Sequence, residues 1–413
     1  MNPTRMKTNV SLSTLLLCSS LSLLAQVQPV NSTSQENLVN RIVTSVANIK
    51  PGETVLIEGD KQQIDLMEAL AEQVHKKGAY PMLLLETEKV AKAGALLVPE
   101  AHLAAHHKAL HKLDGKADLA IILSSNIDYN AIDSQVPKAY ADKRQKARQQ
   151  VHNGQEEDLR TAKTVYIGLP TKAVAEANGL AYGTYEQMTN AALAVDYETI
   201  AAKGKKIAAM LKTGKKVQIT TANGSDFTFD LASRSVIIND GVISEEDIKS
   251  SVKLDRYVTL PSGFIVVSGV ETSANGKVFV ARDRLYGNTG EEKITNLSFD
   301  FVDGKMTNLK AATNQAFLEK ILTDADPRMN QFAGFAIGLN PALKVLSDEK
   351  QDYRPIEAEG LVSLLLGGND LWGGTNKVKE GIGFAIEKAN VSIDGKVIVK
   401  DGKLMPDKLT TSN

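Results

Sequence analysis

The chain has 413 residues, 48 basic and 49 acidic side chains, a net charge of -1, 43% apolar content and 5% aromatic content. This is an ordinary globular composition, long enough for two domains. Near-neutral charge without a Lys/Arg block, together with sparse aromatics, supplies neither a phosphate-binding stripe nor a base-stacking platform, so no nucleic-acid partner is expected. A peptide, a small molecule or a protein is the expected partner class.

Arg5 and Lys7 precede a serine-broken apolar run over residues 10–25, and a polar stretch follows. The pattern predicts a cleaved secretory signal over residues 1–25, too short and too rich in serine for a good membrane span. The mature chain is then expected to be periplasmic or secreted, with no membrane association. Its net charge falls from -1 to -3, and Cys18, the only cysteine, leaves with the signal. A lipid anchor at Cys18 is the competing reading, but Leu17 stands where that processing wants a small residue.

Residues 38–201 alternate helix and strand, the pattern of a parallel-sheet α/β domain. Helical spacing covers 38–47, a strand 54–58, and a second helix 64–77 that ends at Gly78, a suitable C-cap. Strands follow at 81–86, 117–124 and 164–169, the middle one a nearly continuous apolar run suited to burial on both faces. Residues 197–212 form a helix leading into a second domain over 202–413. Strands dominate there, at 216–221, 226–230, 264–267, 276–280 and 392–399, with turn signals at Asp394–Gly395 and Asp401–Gly402. The predicted fold class is α/β, with an N-terminal parallel-sheet domain followed by a β-rich α+β domain.

The six histidines are the first place to seek metal chemistry, and none follows His152. Four lie in EAHLAAHHKALHK over residues 100–112. On a helix, His102 and His106 share one face while His107 and His111 share another, so the four cannot surround one ion. A solvated helix face is the plainer reading. No phosphate-binding glycine loop, serine elbow or cysteine nucleophile stands out, and Ser363 has no histidine in its own half of the chain to activate it.

Four segments of the second half carry a resemblance. They are LPSGFIVVSGVETSANG (260–276), AGFAIGLNP (333–341), GLVSLLLG (360–367) and GGTNKVKEGIG (373–383). In order and spacing they resemble the signature motifs of the thermophilic metallo-aminopeptidase family, the aminopeptidase T and aminopeptidase S group. KPGETVLI, KKGAYPMLLL, VYIGLPT and NGSDFTFDLASR also have counterparts there, so the resemblance runs from about residue 38 to 404. It implies a two-domain, dimeric peptide hydrolase in which a pair of divalent cations activates water and binds the free amino terminus of the substrate.

The same correspondence shows what is missing. Phe264 and Gly334 stand where the family has metal-binding Glu, Ser363 and Gly381 where it has His, and Gly383 where it has Asp. A phenyl ring and three glycines offer no lone pair to a divalent cation, and a serine hydroxyl offers a weak one. The chain is therefore read as a divergent homologue with a degenerate dinuclear site and no resident cofactor, a non-catalytic binder of peptides or small molecules. The alternative is an active metal-dependent aminopeptidase working through other ligands. A mononuclear-iron, ring-cleaving dioxygenase on this fold is a third reading, and it needs two histidines and an acid that the same gaps deny.

Four further residues are candidates for ligand contact. Glu271 is read as an acceptor across the Ser273, Asn275, Gly276 turn, with orientation of a bound amino group as the alternative. Asn340 closes the second motif. Trp372 is either a core wedge or a peptide-contacting anchor, and Asn376 lies in the glycine-rich stretch beyond it. Asp348 and Glu349 could recruit a cation with Glu357, Glu359 or Asp370, though adjacent charges are more often a solvated loop.

Overall fold

The computed structural model describes residues 32–106, 116–155, 163–250, 252–287, 290–378 and 380–405. The segment expected to be a signal, residues 1–25, lies outside them, as do His107 and His111. The chain divides into two compact units, and more than one sequence boundary separates them. Among the described residues, the first holds those up to Ala194 together with Gly241–Pro261, and the second holds Val195–Asp240 and those from Ser262 onward. The expected junction at 201–202 therefore falls inside the helix Tyr197–Thr213, and one later segment returns to the first unit.

The first unit is built on a five-stranded parallel sheet. Its strands run in the order Tyr80–Glu86, Thr54–Asp60, Leu119–Leu123, Lys163–Ile167, Tyr257–Leu260. Parallel strands require crossovers, and the intervening helices supply them. The helix Ile64–Lys76 ends as its sequence predicts: Gly78 takes a left-handed φ of +75°, and its N–H and that of Ala79 return to the carbonyls of His75 and Val74. The fifth strand, Tyr257–Leu260, has no counterpart in the sequence reading. It comes from the returning segment and pairs in parallel with Lys163–Ile167.

The second unit contains two antiparallel sheets. An eight-stranded sheet includes Lys216–Thr220, Asp226–Asp230, Asn275–Gly287, Gly290–Val302 and the hairpin Asn390–Ile393/Lys396–Lys400, with the short strand Lys403–Leu404 at that edge. Asp394 and Gly395 both have positive φ in that hairpin's turn, as the two-residue turn signal requires. The strand expected at 392–399 is thus the two arms of one hairpin.

A five-stranded sheet has the order Gly381–Ile386, Val362–Gly367, Phe332–Gly338, Phe264–Ser268, Val236–Asn239. Its three central strands are buried at every position. Phenylalanines join the two sheets: Phe229 lies 4.6 Å from Phe332 and 5.3 Å from Phe335, and Phe299 lies 5.9 Å from Phe384, ring centre to ring centre. Tilted and edge-on rings at these separations give the core both apolar burial and specific geometry.

Candidate functional site

The register of the five-stranded sheet decides whether the five motif positions, Phe264, Gly334, Ser363, Gly381 and Gly383, belong together. Side chains alternate between faces along a strand, and directly opposed residues of an antiparallel pair share a face. Phe264 shares a face with Ser268, which opposes Gly334. Ala336, on that same face, opposes Ser363, which in turn opposes Ala385. Leu365 opposes Gly383, and Gly367 opposes Gly381. Phe264, Gly334, Ser363, Gly381 and Gly383 thus occupy one face of one sheet, and Val267, Phe335, Leu364 and Phe384 occupy the other, the one joined to the eight-stranded sheet.

That face carries almost no donor atoms. Phe264 is 1% exposed, and Ser268 and Ser363 are buried hydroxyls among apolar neighbours. Trp372 presses on the sheet at Gly334. A Cβ added to Gly334 would stand 2.2 Å from the Val267 carbonyl oxygen, 2.8 Å from Cζ3 of the indole and 2.9 Å from the Ser268 Cα, closer than real Cβ atoms come. The backbone of the facing strand and the ring together take the space that a side chain at 334 would need. Trp372 is 1% exposed, which fits the wedge reading, yet its indole N–H is buried without a hydrogen-bond partner.

Glu271 anchors a polar brace in the same unit. Both its carboxylate oxygens accept from Arg234, at 2.6 and 2.7 Å, and Oε1 also accepts from the Asn369 side chain at 2.9 Å and the Thr375 amide at 2.7 Å. Burial pushes this carboxyl up, but the bonds from Arg234, Thr375 and Asn369 outweigh it and hold the group down at about 2. The turn expected to use Glu271 serves itself: the Ser273 hydroxyl donates to the Val270 carbonyl and accepts from the Asp230 amide. Arg234, the last residue of NGSDFTFDLASR, is the partner that the sequence reading missed, and its place at the end of that segment was the one available signal.

Asn369 and Asn376 extend the brace. Asn369 donates to Glu271 and to the Ala333 carbonyl, next to Gly334, and accepts from the Asn376 amide. The Asn376 side chain donates to the carbonyls of Gly367 and Arg328. Asn340 is wholly buried, donating to the Ser262 carbonyl and accepting from the Ala342 amide. These amides tie loops to strands, which is how buried polar groups are ordinarily satisfied.

The acidic residues weighed as a rebuilt cation site do not converge. Asp348 accepts from the amides of Lys350 and Gln351 in an exposed turn, and Glu359 pairs with Lys203. Burial pushes the Glu357 carboxyl up to about 7, against the pull of its own amide. Among the described residues, no group of three or more His, Cys, Asp or Glu side chains is arranged to hold a metal ion. His102 lies exposed in a short turn of the first unit.

A second charged network was also missed. Asp352 joins Arg284 at 2.9 Å and Arg354, and Arg354 also lies 3.4 Å from Asp283. Asp283 accepts the Ala385 amide at 2.8 Å on the outer edge of the sheet, two residues from Gly383. Burial raises its carboxyl and Arg354 opposes the rise. The network caps a strand edge.

Comparison with known proteins assigns the scaffold. Wild-type AmpT from Thermus thermophilus is 14% identical, with a TM-score of 0.67 over 91% of this chain and 100% of its own. A 2,5-dihydroxypyridine dioxygenase from Pseudomonas putida KT2440 is also 14% identical, with a TM-score of 0.58 over 92% of this chain and 100% of its own. At that identity both likenesses speak to the fold alone. No curated protein matches the chain. Residues 32–342 match the thermophilic metalloprotease (M29) family, a span that holds Phe264 and Gly334 and stops short of Ser363, Gly381 and Gly383, and the chain belongs to that family.

Proposed function

We propose that this chain is an exported member of the family that has kept the peptidase scaffold and lost its dinuclear metal centre. It acts without catalysis, by binding a peptide or small molecule. The observation that carries this reading is that the five motif positions fall on a single sheet face and that, of the five, Ser363 alone offers a donor atom where five ligands are needed. Zinc, cobalt or manganese in such a pair draws on imidazole and bridging carboxylate. The residues present do not fit those ions, so no hydrolytic step is assigned to them.

Export rests on the Arg5, Lys7 and apolar 10–25 pattern. Binding rests on Trp372, whose buried indole donor has no acceptor and would be satisfied by a carbonyl or carboxylate oxygen of a ligand.

Family membership favours the rival reading, an active aminopeptidase. The two are separated by incubating the protein with unblocked leucyl peptides and zinc, cobalt or manganese. The proposal expects no release of leucine above buffer, and release that a chelator abolishes would overturn it. The fold's likeness to a dioxygenase raises iron chemistry as well, but the second unit has no histidine to supply the imidazoles.

A further inference from the structure

We propose that Asn223 is a site of spontaneous intramolecular modification, in which the Gly224 backbone nitrogen closes on the Asn223 side chain and the side-chain amide ends as an acid. The chain carries four Asn-Gly pairs, at 153, 178, 223 and 275. Glycine after asparagine leaves the attacking nitrogen unhindered, because no Cβ stands beside it. The same dipeptide recurs four times, so the fold decides which copy reacts.

Ring closure brings the asparagine side-chain carbon onto the next backbone nitrogen, so both groups must be able to move. Three of the pairs are held. Asn153 lies inside the helix Lys138–Gln155, whose amides serve the helical ladder. Asn178 caps the helix Lys172–Ala177. It is buried, its side chain donates to the Val174 carbonyl at 2.7 Å, and the Gly179 amide donates to the Glu176 carbonyl at 2.9 Å. Asn275 is pinned through both ends of its side chain, by the Asp303 amide and the Ser273 carbonyl, and Gly276 is a ladder residue between Phe227 and Phe301.

Asn223 is placed differently. It stands exposed in the loop between the strands Lys216–Thr220 and Asp226–Asp230, which the Thr221 amide closes by donating to the Ser225 carbonyl at 2.9 Å. Gly224 has a φ of +115° and open space where a Cβ would stand, and its amide reaches the Thr221 carbonyl only at 3.3 Å. The Thr221 hydroxyl donates to the Asn223 Oδ1 and itself accepts from the Ser225 amide at 3.0 Å. That hydroxyl draws charge from the carbonyl under attack and sits where the oxyanion develops.

The chemistry closes with water as the co-reactant. The Gly224 nitrogen gives its proton to solvent and bonds to the Asn223 Cγ, and the tetrahedral centre expels ammonia to leave a five-membered cyclic imide. Water then opens the ring. Addition at Cγ breaks its bond to the nitrogen and leaves an ordinary aspartyl link, while addition at the main-chain carbonyl breaks the other bond and leaves the chain running through Cγ, an isoaspartyl link. Either product adds a negative charge to a loop that already abuts Asp226. The isoaspartyl link also lengthens the main chain beside Ser225, a buried residue whose hydroxyl donates to the Phe279 carbonyl at 3.0 Å and accepts from its amide at 2.9 Å.

The test is incubation of the full chain in warm, mildly alkaline buffer, with peptide mass mapping of all four pairs over time, once folded and once in urea. In the folded chain the acid should form at 223 several-fold faster than at 153, 178 or 275, and in urea the four rates should converge. Thr221→Val should slow the reaction at 223 several-fold and Thr221→Ser should keep it, with thermal unfolding as the control that both variants fold. Folded-state rates that are equal at the four pairs, or a lead for 223 that persists in urea, overturn the proposal. An unchanged rate in Thr221→Val overturns the part given to the hydroxyl. None of these outcomes depends on whether the chain hydrolyses peptides.

Discussion

Glu271, a candidate for ligand contact, has surroundings that define a structural task. Its carboxylate is fixed by Arg234, Asn369 and the Thr375 amide, leaving little capacity for a ligand's amino group. Because its folded pKa lies near 2 and the ordinary value is 4.5, it stabilises the fold fully above pH 4.5, and that contribution is lost as pH falls toward 2. Glu271→Gln should cost about 3 kcal/mol at pH 7, since one partner of a buried ion pair is removed. Urea unfolding at pH 7 and pH 3 checks this: the difference between wild type and variant should shrink at the lower pH. An equal difference at both would show that the charge contributes nothing.

At the scale of elements, the four parallel strands from Thr54 to Ile167, the helices Ile64–Lys76 and Tyr197–Thr213, and the Asp394–Gly395 turn were legible because local pattern dictates them. Apolar alternation, a glycine C-cap and turn residues act over a few neighbours. The fifth strand, Tyr257–Leu260, was not legible: its place depends on a return across residues 241–261 that no local pattern encodes. The same is true of Arg234 with Glu271 and of Arg284 and Arg354 with Asp352, pairs that close through tertiary folding. The five motif positions were picked out by resemblance, but their common face emerges only from strand register. Gly334 tests that register. Gly334→Ala pushes a methyl group into the Trp372 ring and the facing strand, and should cost about 2 kcal/mol by overpacking. Denaturation followed by Trp372 emission, the chain's only tryptophan signal, reads this directly. An unchanged midpoint would mean that the wedge yields easily and that the position is open.

At the scale of the whole molecule, family membership and absent ligands pull in opposite directions. A fold shared at 14% identity with both AmpT and a dioxygenase is compatible with more than one chemistry, so the site and not the scaffold must carry a functional claim. On the proposed reading the site's donors decide, because phenyl, glycine and one hydroxyl at the five motif positions cannot be compensated by well-placed neighbours further out. Metal content of the purified full chain, measured after saturation with zinc, cobalt or manganese and removal of the free ion, tests this most directly. The account predicts far less than one bound ion per chain. Retention of about two ions per chain, the stoichiometry of a dinuclear hydrolase, would contradict it.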